Sequence, residues 1–518
     1  MKRITFFLVF IIFSQCFVYA QYEDTKLDSL NEYFARSLKQ WSVPGMAIGI
    51  VKDDSLIFAK AYGFANIKDQ QPVDKYTIFP IASNTKAFTV AAMAILVDRG
   101  EISWNTKVVD ILPYFQLYSP YVTAHFTIAD MLSHRSGLKT FSGDLIWYGS
   151  DYSREEVIKK LPFLKQAYEF RTKFGYSNIM YIAASEVIAK VSGMSYEDFL
   201  RKNIFDPLGM NRTYTSINDL AKLKNVCTPY NNINGKLIPI KFVNWDNIGG
   251  AGCINSDVVD MSKWIKFQLN GGIWHSDTII SSKQILEMRS PHTNFTLSKG
   301  YRKLWPSTHF KAYAMGWSVM DYHGKKIISH SGGYDGVITY TCLVPEEKLG
   351  FVILTNSTSS LYNPLSYRIL DSFLAKDTID WASLFLPYQQ HSEEIIPISV
   401  PAKSIKPSLK SKEYLGLYKS KIYGNALITG RANKMKIQLL HTKLWEGIIR
   451  PYNADTFIIE FPKVPSLPQG FIRFKLNTDK TKVKSFVIDV PNPDFDFTEF
   501  TFKKLNWIIM SEENKKQK

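Results

Sequence analysis

Ser83 and Lys86 stand three positions apart at the head of an apolar run, Ala87 to Arg99, that closes on Gly100. If that run is a helix opened by Ser83, the two side chains are neighbours on one face. A serine hydroxyl is a poor nucleophile at neutral pH, and a lysine whose pKa is lowered by desolvation is one of the few groups that can take its proton. Backbone N–H groups at a helix start also favour developing negative charge. The same spacing recurs at Ser136 and Lys139, but Gly137 and a stretch without helical period follow, so that lysine need not face its serine. Ser83 is the stronger nucleophile candidate, against the plain alternative of an N-cap serine and a solvated lysine.

Two further groups could share the chemistry. Tyr176-Ser177-Asn178 falls between Phe174-Gly175 and a helical stretch, so its side chains emerge at a loop-to-helix junction, where Asn178 can also cap. His330-Ser331-Gly332 ends a predicted strand and is the one His-x-Gly in the chain. Its plain alternative is a histidine satisfied at a strand end beside a glycine bulge.

Several elements must hold these groups. Leu27, Leu30, Phe34, Leu38 and Trp41 form a helical stripe halted by Pro44-Gly45. Met46 to Val51 and Leu56 to Tyr62 read as strands joined by a turn at Lys52 to Ser55. Helices are expected at Met180 to Val191, at Tyr196 to Asn203 behind the cap Ser195-x-x-Asp198, and around Val258 to Leu269. Met315 to Met320, Lys326 to Ser331, Val337 to Val344 and Phe351 to Thr355 predict an antiparallel meander, and Leu365, Ile369 and Phe373 a closing helix. Helices from the two ends would then cover one face of a sheet built from the first and last strands.

Lys2 and Arg3, an apolar run from Ile4 to Phe13 and Val18-Tyr19-Ala20 have the parts of a secretory signal, with cleavage expected after Ala20. A lipid-modified Cys16 is the weaker reading, and no other segment reaches membrane-spanning length. The expected location is the periplasm or the exterior. Cys227, Cys253 and Cys342 are too few and too scattered for a disulfide framework and read as buried small residues. Neither a metal site nor a cofactor is indicated. The formal charge is +16, or +14 without Lys2 and Arg3, with the lysines scattered. That fits attraction to an anionic cell-envelope polymer and, in an exported chain without a binding motif, argues against nucleic acid.

Residues 386–412 carry prolines, lysines and serines without apolar period and read as a linker, leaving residues 21–385 as an independently folding unit. Residues 413–505 alternate aromatic and β-branched with polar residues, as in Phe471 to Leu476, and predict a small all-β domain. Residues 506–518 form a charged tail, expected to be disordered.

The order Ser83-x-x-Lys86, Tyr176-x-Asn178, His330-x-Gly332 resembles the serine β-lactamase and penicillin-binding-protein-like hydrolases. Val43 to Ile48, Leu132 to Leu138 and Gly249-Gly250-Ala251-Gly252 resemble supporting segments of the same family. The resemblance implies an α+β fold, an antiparallel sheet flanked by helices with a helical region, followed by a lipocalin-like β domain. It implies Ser83 as acylated nucleophile and Lys86 with Tyr176 as general base and acid, a nearby ammonium drawing the tyrosine toward phenolate. Asn178 would orient Lys86 or the substrate amide, and His330 and Gly332 would line the substrate strand. The N–H groups of Ser83 and Gly333 would form the oxyanion hole. Many family members carry lysine where His330 stands, to hold a substrate carboxylate. A mostly neutral imidazole puts that role in doubt and favours the D-aminopeptidase and esterase-like members, acting on a small peptide or ester. The alternatives are a β-lactamase or DD-carboxypeptidase, and a non-catalytic wall-binding protein on the same scaffold.

Overall fold

The computed structural model describes residues 25–375, 379–392, 397–431, 434–464, 467–492 and 495–505. The expected signal and tail, with Cys16, lie outside these residues. Residues 25–40 are helical, and their apolar stripe is buried, with Leu30 and Phe34 fully so. The next segment is the strand Gly45–Lys52, whose alternate side chains pack into two different cores. Met46, Ile48 and Ile50 face one, Ala47 and Val51 the other, as the two-residue period of a strand requires.

This strand lies inside a nine-stranded antiparallel sheet. Its neighbours are Ser55–Asn66 on one side and Leu349–Thr355 on the other, so the first and last long strands pair as expected. Beyond Leu349–Thr355 the meander continues outward through Val337–Val344, Lys325–Tyr334 and Ser318–Tyr322. The short strands Lys311–Tyr313 and Thr293–Phe295 complete that edge; they are too brief to show a period in sequence. One face is covered by the helix 25–40 and the helices Tyr362–Leu374 and Trp381–Ser392, through Phe34, Leu365, Ile369 and Trp381. The other carries Thr85–Asp98 and Val258–Leu269 and the helical region behind them.

The helix Trp381–Ser392 runs across residue 386, where the composition suggested a linker. Trp381 and Ala382 are buried in the core of the N-terminal unit, and Trp381 Nε1 donates to the buried Asp371. The helix behind Ser195 also runs on past Asn203, through a wider turn at Arg201–Phe205, to Leu208.

The C-terminal strands, from Gly416–Ser420 to Thr501–Lys504, close an eight-stranded antiparallel barrel in which each strand neighbours the next and the last returns to the first. The barrel is not held by the linker alone. Its Trp445 and Phe495 rings pack on Tyr148 with centroids 6.0 and 4.8 Å away, and His441 stacks on Tyr152 at 4.3 Å. Apolar packing is therefore continuous between the barrel and the N-terminal unit, which the polar composition of residues 386–412 did not reveal.

Candidate active site

Ser83 lies in a 3-10 turn, Ala82–Asn84, and the α-helix begins only at Thr85. The turn winds in the same sense, so Lys86 still comes round to the serine, with Nζ 3.0 Å from Ser83 Oγ. Ala82 takes a left-handed φ of +46°, strain on the order of 1–3 kcal/mol for a residue with a Cβ. Neighbouring contacts hold it there: Asn84 Nδ2 donates to Thr339 Oγ1 at 2.9 Å, and Thr339 Oγ1 donates to the Ile81 carbonyl at 3.0 Å. Ala82 and Asn84 are buried, while Ser83 keeps partial access to solvent.

Lys86 is fully buried. Its Nζ is 2.7 Å from Asn178 Oδ1 and 2.8 Å from the Ala251 carbonyl, both acceptors that each take one N–H. Burial pushes the amine well below its ordinary pKa, opposed by the charge of Asp144. In the neutral amine both N–H bonds are then committed, and the lone pair faces the Ser83 hydroxyl. The glycines around Ala251 make this reach possible: Gly249 adopts φ +49°, and a Cβ on Gly250 would stand 2.7 Å from the Tyr181 carbonyl.

Asn178 is the first residue of the helix Asn178–Ser192, after an N-cap at Ser177, and does not cap it. Its amide is spent inside the protein: Oδ1 receives Lys86, and Nδ2 donates to Asp144 Oδ2 at 2.6 Å. Asn178 thus holds Lys86 and has no free amide group for substrate. Asp144 also accepts from Trp147 Nε1 at 3.1 Å, and burial raises its pKa to about 7. This acid was missed in sequence because it sits in a short helix, Asp144–Trp147, inside a long connection with no period or motif to mark it.

Tyr176 is held through its backbone, its carbonyl accepting from Phe141 N at 2.8 Å and its N–H donating to Thr140 Oγ1 at 3.2 Å. Lys86 Nζ lies 4.7 Å from its ring centre. Burial raises the phenol, and the nearby Ser83 hydroxyl offsets only part of that. The shift is opposite to the expected pull toward phenolate: the nearby amine is depressed toward its neutral form, and Tyr176 keeps its proton. The loop around His134, which has φ +57°, braces this segment, since His134 Nδ1 accepts from Ser177 N at 3.1 Å.

His330 does not end its strand, which runs on to Tyr334. Its Nδ1 is 2.5 Å from the Ser331 carbonyl and must therefore carry the hydrogen, leaving Nε2 to accept from Tyr313 O–H at 2.9 Å. Both nitrogens are used, and burial followed by the nearby Lys86 lowers its pKa to about 3. His330 offers neither charge nor a free donor. Gly332 faces the Ser83 turn, where a Cβ would meet the Ile81 carbonyl at 2.1 Å. The two-residue turn Asp335-Gly336 makes Tyr334 and Val337 a hydrogen-bonded pair, so Gly332 pairs with Thr339 and the Gly333 N–H points the other way. On that side the neighbouring strand has ended, its last pair being Ser318 with Ser329. Among the described residues no strand pairs with Ser331 or Gly333 on that side, where the Ser331 carbonyl receives only the His330 Nδ1–H. The second Ser-x-x-Lys pair does not form: Lys139 Nζ turns to Asp496, 2.9 Å away.

Comparison with known proteins fits this arrangement. The β-lactamase family model matches residues 30–371, and a domain of unknown function, DUF3471, matches residues 400–504. The unguisins hydrolase of Aspergillus campestris is 31% identical over 432 residues, 76% of each chain, and protein flp of Staphylococcus aureus is 25% identical over 339 residues, 64% of this chain and 63% of its own. Among solved structures, the octameric penicillin-binding protein homologue from Pyrococcus abyssi superposes with a TM-score of 0.60 at 22% identity, covering 92% of this chain and 100% of its own. A class C β-lactamase superposes at 0.57 and 21% identity, over 68% of this chain and 98% of its own. The match over most of the chain places it plainly: it belongs to the family of serine β-lactamases and penicillin-binding-protein-like hydrolases.

Proposed function

We propose that this protein is an exported acyl-serine hydrolase that cleaves a peptide, including one with D-residues, or an ester. The observation that carries the reading is the commitment of both Lys86 N–H bonds to Asn178 Oδ1 and the Ala251 carbonyl, which leaves the lone pair for Ser83. Ser83 Oγ attacks the substrate carbonyl carbon as its proton passes to Lys86 Nζ. The Gly333 and Ser83 N–H groups receive the developing oxyanion, where one missing donor typically costs ~10²–10³ in rate. The Tyr176 phenol gives a proton to the leaving group as the scissile bond breaks. Lys86 returns its proton to the Tyr176 phenolate; water then attacks the acyl carbon, giving a proton to Lys86, which passes it to Ser83 Oγ as the ester bond breaks and the acid leaves.

The side of Ser331 and Gly333 with which no described strand pairs supports a peptide substrate, because an extended peptide can add there as a strand. The relatives named as unguisins hydrolases support a hydrolytic role with that scaffold. The neutral, fully engaged His330 weighs against a substrate carboxylate at this position, and so against β-lactams or terminal D-alanine as natural substrates. The intact Ser83 to Asp144 chain weighs against a non-catalytic wall-binding protein. Export rests on residues 1–20, contact with an anionic envelope polymer on the basic charge, and a lipocalin-like kinship of the barrel on its sequential closed strand order. The test is hydrolysis of p-nitrophenyl esters and D-aminoacyl anilides beside nitrocefin. Turnover of the first two with little of the third is expected, and efficient nitrocefin turnover alone would reverse the ranking.

A further inference from the structure

The barrel meets the catalytic unit on the connection 139–152, the same stretch that carries Asp144. This connection has little support of its own, its only helix being the four residues Asp144–Trp147. Besides the ring packing on Tyr148 and Tyr152, polar contacts from the barrel hold it at three places. Lys139 pairs with Asp496, the Asp151 N–H donates to the His441 carbonyl at 2.9 Å, and between them lies Glu499. One Glu499 oxygen accepts from Ser142 Oγ at 2.5 Å, and the other from Gly143 N at 2.9 Å and Tyr423 O–H at 3.2 Å. The partners on the connection are thus the two residues immediately before Asp144. Gly143 is the N-cap of that short helix and takes φ +77°, so fixing its N–H fixes the direction in which Asp144 leaves the turn.

We infer that Glu499 of the C-terminal barrel is a positioning residue for Lys86, acting through the Ser142–Gly143 turn, Asp144 and Asn178. The inference rests on the reading of Lys86 as general base. Every link is a short contact: Glu499 to Gly143, then Asp144 to Asn178 at 2.6 Å and Asn178 to Lys86 at 2.7 Å. A second strut runs parallel to it, since the Phe141 N–H holds the Tyr176 carbonyl. The three donors on Glu499 are all neutral, so the carboxylate serves as a multiple acceptor and not as half of an ion pair. Tyr423, which completes the set from the turn before Gly424–Arg431, is buried against Phe500 with ring centres 4.4 Å apart, so the anchor is packed into the connections at one end of the barrel and is not a loose tail. This assigns the barrel a part in building the site it adjoins.

The test compares the full chain with Glu499→Ala and Glu499→Gln, using kcat and KM for p-nitrophenyl acetate, the rate of Ser83 labelling by a fluorophosphonate, and circular dichroism to fix the folded fraction. Folded Glu499→Ala should lose about tenfold to a hundredfold in kcat and labelling rate, since small misplacements at a site are costly, with KM within about twofold. Glu499→Gln, which keeps an acceptor for the Gly143 N–H, should stay within about threefold of the parent. A purely structural role would lower the melting temperature of both variants and leave kcat per folded molecule unchanged; that result would overturn the inference, as would equal losses in the two variants. Should Glu499→Ala not fold, Ser142→Ala decides: several-fold slower labelling supports the chain and parental labelling overturns it. A parent that never labels at Ser83 would instead remove the reading on which the inference rests.

Discussion

Replacing His330 by lysine asks whether the substrate strand accepts a positive charge. The fall of the imidazole pKa from 6.5 to about 3 means that a cation at this place is disfavoured by roughly 5 kcal/mol, mostly through burial and then through Lys86. A lysine could avoid the charge only by losing its proton, which at pH 7 costs about 5 kcal/mol from an ordinary pKa near ~10.4. In the charged form Tyr313 O–H would also lose its acceptor, a further ~1–3 kcal/mol for a buried hydroxyl. Neither route is cheap against a total stability of about 5–15 kcal/mol. His330→Lys should therefore lower the melting temperature by on the order of 10 °C. It should not improve hydrolysis of p-nitrophenyl acetate, and nitrocefin turnover should stay low. Thermal unfolding followed by circular dichroism, with both substrates assayed at pH 7, reads all three. A His330→Lys protein of parental stability that turns over nitrocefin faster would show that the pocket accommodates a cation, and the argument from burial would fail.

Asp144→Asn leaves one acceptor for two donors, Asn178 Nδ2 and Trp147 Nε1, a loss worth ~1–3 kcal/mol; kcat should fall about tenfold to a hundredfold, and a parental kcat would remove Asp144 from the account. Because the folded-state pKa of Asp144 is raised to about 7, its stabilising protonated form is fully present below the ordinary carboxylate range and lost as pH rises through 7. The same variant should accordingly flatten the loss of stability between about pH 4 and 7, read as melting temperature against pH. Gly332→Ala brings a methyl to 2.1 Å from the Ile81 carbonyl and must displace either the strand or the nucleophile turn; a fully active variant would mean the turn is not held there. A chain ending at residue 399 bares Tyr148 and Tyr152, which pack on the barrel, and should be less stable and less active than the whole protein; equal stability would make the barrel a passenger.

The parts of this molecule that follow local rules were legible in its sequence. The stripe through Leu30 and Phe34, the meander from Ser318 to Thr355 and the Ser83–Lys86 pair all have a period or spacing that is met within a few residues. What was not legible depends on distant partners. Whether Asn178 caps its helix or holds a lysine is decided by Asp144 and Lys86, far away in the chain. The protonation of Tyr176 and His330 is set by burial, which side-chain type alone does not reveal. The helix Trp381–Ser392 hides in a proline-bearing stretch, because Trp381 is fixed by tertiary contacts with Asp371 and not by propensity. The barrel's grip on the connection 139–152 leaves no trace in a window of sequence at all.

The central claim is that Ser83 is acylated because a neutral Lys86 takes its proton. Labelling with a fluorophosphonate across a range of pH, followed by mapping of the labelled peptide, tests it most directly. Since burial lowers the Lys86 pKa and only the neutral amine is a base, the labelling rate should rise with pH through a value well below that of an ordinary lysine and then level off. All label should lie on Ser83, and Lys86→Met should remove the pH dependence along with most of the rate. Label on Ser136 or Ser177, or a Lys86→Met protein that labels at the parental rate, would contradict the account.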